Sequence, residues 1–239
     1  MVERVVSLVP SLTESVAATA PGLLAGATDW CTHPADLVVT RVGGTKNPDV
    51  ARIVSLRPDL VLANEEENRP ADLDALRAAG VAVWVTQVRS VEEAFDSLDR
   101  MLRVACGLAR PGWLDDAAAA WAGLPRCEPE RTAAVPIWRR PWMVLGRDTF
   151  AGDVLARLGV RNAFAGHAER YPRVALADIQ NAELIVLPDE PYAFSATDGP
   201  ECFPGRPVAL VSGRHLTWYG PSMVDAPRVL TAQLSAASP

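Results

Sequence analysis

Few residues in this chain are equipped for covalent chemistry, and their spacing argues against it. The three histidines, His33, His167 and His215, stand far apart. They lack the HxxxH or HExxH spacing that sets two imidazoles around zinc on one helix face. The four cysteines, Cys31, Cys106, Cys127 and Cys202, include no CxxC pair. They read as neither a disulfide framework nor a zinc knuckle and are expected to be mostly reduced. Soft ligands come together only in Asp29-Trp30-Cys31-Thr32-His33-Pro34, where a thiol and an imidazole close in sequence could bind a soft metal directly. Ser11 lies between a strand and a helix, but the GxSxG context of a nucleophile elbow is absent and no His–Asp pair is placed to serve it. The GGTKNP stretch lacks the Ser/Thr that follows lysine in a phosphate loop, and no GxGxxG follows the first strand. Catalysis is therefore not expected.

Binding chemistry is better provided for. Aromatic residues gather where strands should end: Trp30 after the second strand, Trp138 and Trp142 on either side of Arg139-Arg140-Pro141, Tyr171 in ERYPRV, and Trp218-Tyr219 in LTWYGPS. One tryptophan in a loop is usually packing, but several at strand ends suit the apolar walls of a ligand site. Two acidic stretches, Glu65-Glu66-Glu67 and Asp189-Glu190, follow buried strands. They read as solvated loops, as a cleft rim, as docking surfaces for a basic partner, or equally as a place to bind a cation. Lys46 and Asn47 could reach the same rim, although a glycine turn and a helix cap account for Gly43, Gly44 and Asn47.

The elements that must position these groups alternate strand and helix. Val5–Val9 is read as a strand running into a helix at Ser11–Ala18, with Ser11 as N-cap and Glu14 as its capping-box partner. That arrangement would hold free backbone N–H groups at a sheet end, a place for a polar or anionic ligand. Strands are expected at Leu23–Thr28, Asp59–Ala63 and Val81–Thr86, and helices from Asn47, as N-cap, to Leu56 and over Asp72–Ala79. Ser90 and Glu93 form a second capping box, opening an amphipathic helix; another helix is read at Trp113–Gly123. The second half repeats the pattern, with strands at Thr132–Trp138, Trp142–Leu145, Leu184–Leu187 and Pro207–Val211 and helices at Asp148–Leu158 and Val224–Ala237. The expected fold is α/β: two Rossmann-like lobes with mostly parallel sheets, joined by a helical linker, with a ligand cleft between them. The expected boundaries are 1–90, 91–130 and 131–239.

Composition narrows the partners. With 239 residues, 49% hydrophobic and 22% charged, the chain has enough apolar surface for two cores. A net charge of −6 and no Lys/Arg cluster leave a nucleic-acid partner without electrostatic support. No apolar run approaches the roughly 20 residues that span a bilayer. Residues 1–15 carry no basic n-region, long apolar stretch or small-residue cleavage site. The sequence as written is thus expected in the cytoplasm, or in the periplasm or outside the cell if a leader has been removed.

Taken in order, SLVPSLTE, GGTKNPDVARIVSLRPDLVLA, LRAAGVAVWV, DVLARLGVRNAFA and ELIVLP resemble the class III, helical-backbone substrate-binding proteins of ABC importers, nearest the cobalamin-binding branch. The resemblance runs from about residue 4 to about residue 235. It implies a non-catalytic receptor that holds cobalamin, haem, a ferric siderophore or another metal chelate between two lobes. No cofactor would be required, and an importer permease would be the partner if the chain is exported. The ligand residues expected are Ser11, Thr13, Trp30, His33, Asn64, Glu65, Trp138, Arg139, Trp142, Tyr171, Trp218 and Tyr219, of which the resemblance itself implies Trp30, Tyr171, Trp218 and Tyr219. From the residues themselves, His33 is read as a candidate axial ligand to cobalt or haem iron, and Glu66 and Glu190 as candidate docking residues for a partner. Asn64 stands where the family has an aromatic residue against the corrin, Pro70 where it has a docking glutamate, and Pro111 interrupts the middle helical region. A cytoplasmic metal- or cofactor-handling factor, or an enzyme on the same scaffold, is the competing expectation.

Overall fold

The computed structural model describes residues 2–124 and 131–237. Cys127 lies outside them. The chain divides into two compact units, one of residues 1–87, 94–115 and 219–221, the other of 88–93, 116–218 and 222–239.

The first unit is built on β1 (Val5–Ser7), β2 (Leu24–Ala27), β3 (Thr40–Arg41), a two-residue pair β4 (Gly43–Gly44) and β5 (Asn47–Pro48), β6 (Leu60–Asn64) and β7 (Val83–Thr86). Its five-stranded sheet runs β3-β2-β1-β6-β7 and every pairing is parallel. All five residues of β6 are buried, as a central strand covered on both faces requires. The covering helices are α1 (Pro10–Thr19), α2 (Val50–Ser55) and α3 (Pro70–Ala78). Val6, Leu8, Val42, Ile53, Val61, Ala63, Leu73 and Leu76 form one core.

Local starts differ from the sequence reading. The first strand ends at Ser7, and α1 begins at Pro10 with Val9 as N-cap and no side-chain cap. Pro10 supplies the pre-set φ of a first helical residue, so Ser11 and Glu14 are not a capping box; both are buried within the helix. Asn47 is likewise no cap. It pairs with Gly44 across β4–β5, and Asp49 caps α2 by accepting from Arg52 N at 2.9 Å.

α4 (Val91–Arg100) opens as a near capping box: Glu93 N donates to Ser90 Oγ at 3.1 Å, and the Glu93 carboxylate accepts from Arg89 N at 2.7 Å, one residue before the cap. It continues into a π-helical turn at Met101–Ala105, and α5 (Gly112–Ala122) follows. Residues 94–115 group with the first unit and 116–124 with the second.

The second unit holds β8 (Arg131–Ala134), the antiparallel hairpin β9 (Pro136–Arg139) and β10 (Trp142–Val144), β11 (Val160–Asn162), β12 (Leu184–Pro188) and β13 (Val208–Val211). The main sheet, β11-β8-β12-β13, is again all parallel. Its helices are α6 (Phe150–Arg157), α7 (Leu176–Gln180), α8 (Gly213–Thr217) and α9 (Ala226–Ser235). The strand expected over 132–138 breaks at Val135, where the chain leaves the sheet for the hairpin. Ala134, Val144, Ile179, Ala182, Ile185, Leu187, Phe194 and Phe203 form this core. Gly146 is imposed by close approach: a Cβ there would collide with Glu169 O, because Gly146 N donates to Arg170 O at 2.8 Å.

Candidate functional site

In a parallel sheet every strand delivers its following loop to the same edge, which is why ligands meet such folds at carboxyl strand ends. In the first unit that edge carries Thr28–Pro34 after β2 and Asn64–Arg69 after β6. Trp30 is 66% exposed, the most exposed aromatic described. Its indole nitrogen lies against Gly44, whose Cβ would come within 3.5 Å of it. Asn68 Nδ2 donates to Thr45 O at 3.0 Å and Lys46 Nζ donates to Glu66 O, so the β4–β5 turn and the acidic loop are tied into one rim. Glu65 is exposed on that rim, and Glu66 is half-buried.

The other first-unit candidates face inward. Thr13 is fully buried; its hydroxyl donates to Val9 O at 2.9 Å and lies 3.0 Å from Cys31 Sγ. Cys31 is also fully buried, 3.1 Å from Thr28 Oγ1, and burial pushes its thiol above the ordinary range. His33 is half-buried, with Nδ1 3.2 Å from Thr32 Oγ1. The expected thiol–imidazole pair therefore does not form, since the sulfur points into the core between two threonines. Among the described residues no group of three or more His, Cys, Asp or Glu is arranged to hold a metal. Ser11 is 3% exposed, and Gly220 packs on it: a Cβ at Gly220 would lie 3.1 Å from Ser11 O and 2.8 Å from Ser15 Oγ.

Asn64 and Tyr219 serve one another. Asn64 Nδ2 donates to Tyr219 Oη at 2.7 Å, while Asn64 Oδ1 accepts from Glu66 N at 2.8 Å and Glu67 N at 3.2 Å. Thr86 gives its single hydroxyl proton to Ala63 O at 3.1 Å, so Tyr219 donates to Thr86 Oγ1 at 2.9 Å. Tyr219 is 6% exposed, and burial raises its phenol well above the ordinary value. Asn64 thus shapes the loop and receives a tyrosine from far along the sequence.

In the second unit, the hairpin after β8 presents Trp138, 43% exposed, on one side and Arg139 on the other. Arg139 pairs with Asp198 and Glu201 and lies 5.9 Å from the Trp142 ring. Trp142 stacks on Phe194 at 6.2 Å and meets Phe203 edge-on, which makes it largely a core residue. Tyr171 is half-buried with the Arg170 guanidinium 6.0 Å from its ring. Trp218 is buried, its Nε1 donating to Glu190 Oε2 at 2.9 Å. Burial raises the Glu190 carboxyl above its usual range. Glu190 is anchored on an indole, unlike the exposed carboxylate a docking role requires. His167 Nδ1 accepts from Glu169 N at 3.0 Å; His215 Nδ1 sits 2.8 Å from Ser212 Oγ, and burial lowers its pKa.

Sequence reasoning misses Tyr192, Asp198 and Glu201, which complete the surroundings of Trp138 and Arg139. A signal exists: Tyr192 and Phe194 stand two apart directly after Asp189-Glu190.

No family model matches the chain. A vitamin B12-binding protein of Vibrio cholerae is 25% identical over 186 residues, covering 74% of this chain and 66% of the relative, so the match spans just under two thirds of that protein. Among solved structures, the periplasmic vitamin B12-binding protein of Vibrio cholerae superposes with a TM-score of 0.75 at 20% identity, covering 98% of this chain and 97% of that one. The periplasmic haem-binding protein of Roseiflexus sp. RS-1 gives a TM-score of 0.78 at 21% identity, covering 98% of each chain. No helix among the described residues is long and apolar enough to cross a membrane. In sequence the chain is similar to vitamin B12-binding proteins, and in fold it is similar to periplasmic vitamin B12-binding and haem-binding proteins.

Proposed function

We propose that the chain is a non-catalytic receptor for a metal-bearing macrocycle, a corrinoid first, and that it hands this ligand to an ABC importer permease. The observation that carries the reading is the homology to vitamin B12-binding proteins. The placement of two exposed indoles, Trp30 on the loop after β2 and Trp138 on the β9–β10 hairpin that follows β8, supports it. A flat macrocycle needs apolar walls and a few polar groups. The walls proposed are Trp30 in the first unit and Trp138 in the second, with Tyr171 in the second unit as well. Glu65, Lys46 and the β4–β5 turn supply the polar rim. Ser11, Thr13, Asn64, Trp218 and Tyr219 support the loops from inside their units. The periplasmic setting of the solved relatives is the proposed setting here as well.

His33 is proposed as an axial ligand because it is the only described histidine on a first-unit carboxyl-end loop. The test is a titration of the purified protein with hydroxocobalamin, haemin and a ferric siderophore, followed by the visible spectrum. Saturable binding of hydroxocobalamin at one per chain, with a band shift that His33→Ala abolishes, is the expected result. Saturation without a shift would remove His33 from the site. No saturable response to any of the three would remove the receptor reading.

A further inference from the structure

We propose that Arg139 is a positioning residue that holds the exposed Trp138 ring through Asp198 and Tyr192, and that it does not itself touch the ligand. The proposal rests on the receptor reading above. Successive residues of a strand point to opposite faces, and β9 separates its last two accordingly: Trp138 is 43% exposed, whereas the Arg139 side chain is 15% exposed. The Arg139 guanidinium faces the carboxylates of Asp198 and Glu201, lies 3.2 Å from Cys202 Sγ and sits over the Trp142 ring. A planar fork of five donors is suited to carboxylates. Here two carboxylates, a sulfur and an aromatic face already surround it.

The far side of this network reaches the exposed ring. Tyr192 Oη donates to Asp198 Oδ2 at 2.7 Å, and the Tyr192 ring meets Trp138 edge-on at 5.6 Å and 83°. Trp138 Nε1 donates to Arg140 O at 3.3 Å, which fixes the rotation of the indole. The loop carrying the acids is itself rigidly specified. Gly199 has φ +129°, where a Cβ would lie 2.7 Å from Phe194 Cδ1 and 2.9 Å from Leu187 Cδ1. Its N–H donates to Glu201 Oε2 at 2.6 Å. Arg139, Asp198, Tyr192 and Trp138 therefore form a continuous series that ends on a solvent-facing indole. An aromatic wall held still in advance loses less freedom when a flat ligand stacks on it.

The experiment uses the full chain labelled with 5-fluorotryptophan, the Trp138 line being assigned by Trp138→Phe. In ligand-free protein, Asp198→Asn and Tyr192→Phe are expected to move or broaden the Trp138 fluorine line, and Arg139→Lys to disturb it less than Arg139→Met. Arg139→Met is expected to weaken hydroxocobalamin about tenfold. In a Trp138→Ala background the same change should cost less than about twofold, because an effect routed through Trp138 cannot be lost twice. An unmoved fluorine line in Asp198→Asn and Tyr192→Phe would overturn the proposal, as would an equal loss of affinity in both backgrounds. If the unsubstituted protein binds no macrocycle, the receptor reading fails, and the fluorine line still decides whether Arg139 holds Trp138.

Discussion

Replacing Asn64 with alanine separates a residue that builds its loop from one that grips a ligand. Asn64 is 5% exposed, and its side chain holds Tyr219 Oη at 2.7 Å, Glu66 N at 2.8 Å and Glu67 N at 3.2 Å. Each intramolecular hydrogen bond contributes a net of about 1 kcal/mol, so the joint loss of these should cost about 3 kcal/mol. The two amide groups sit on half-buried residues that water can partly reach, which holds the cost near that figure. In a chain of this length about 3 kcal/mol lowers the melting temperature by about 6–12 °C. Differential scanning calorimetry of ligand-free protein is the assay. Tyr219→Phe should cost about 1 kcal/mol and add less than its full effect in the Asn64→Ala background, since the two share a bond. A ligand-free melting point for Asn64→Ala equal to wild type would refute the reasoning and return Asn64 to the ligand surface.

Three further outcomes follow from the same geometry. Burial raises the Tyr219 phenol; its stabilising contribution is complete below the unfolded tyrosine pKa of about 10 and is lost as pH rises toward the folded value. Alkaline melts should therefore lose stability above that pH, and Tyr219→Phe should remove this part of the loss. Burial likewise raises Glu190, so its contribution is complete below the unfolded glutamate pKa of about 4.3 and fades as pH rises through the folded value; Glu190→Gln, which can still accept from Trp218, should flatten the stability profile across that window in urea titrations. Gly146→Ala drives a Cβ into Glu169 O and should destabilise by about 3 kcal/mol, read as a lowered urea midpoint.

The main strands are legible because burial on both faces leaves a continuous apolar run, as in Leu184–Leu187 and in Asp59–Ala63, whose first residue lies just outside β6. Short elements are not: β3 is two residues long, and its signal comes from pairing with β2 rather than from its own sequence. The start of α1 is misleading because Ser11 and Glu14 have the spacing of a cap, while Pro10 one residue earlier already begins the helix. Aromatic residues can be found by type, yet type alone cannot sort them. Trp30 and Trp138 are exposed, whereas Trp218 and Tyr219 are buried by partners at residues 190, 64 and 86. Such distant pairings leave no local pattern in the chain. Arg139 illustrates the same limit, since its two carboxylates come from a loop about sixty residues onward.

The most direct measurement is isothermal titration of the full chain with hydroxocobalamin, alongside Trp30→Ala and Trp138→Ala. Saturable binding at one ligand per chain is expected, weakened about tenfold or more by each substitution. Saturable binding that neither substitution weakens, or no binding of hydroxocobalamin while haemin or a bare divalent metal binds tightly, would contradict it.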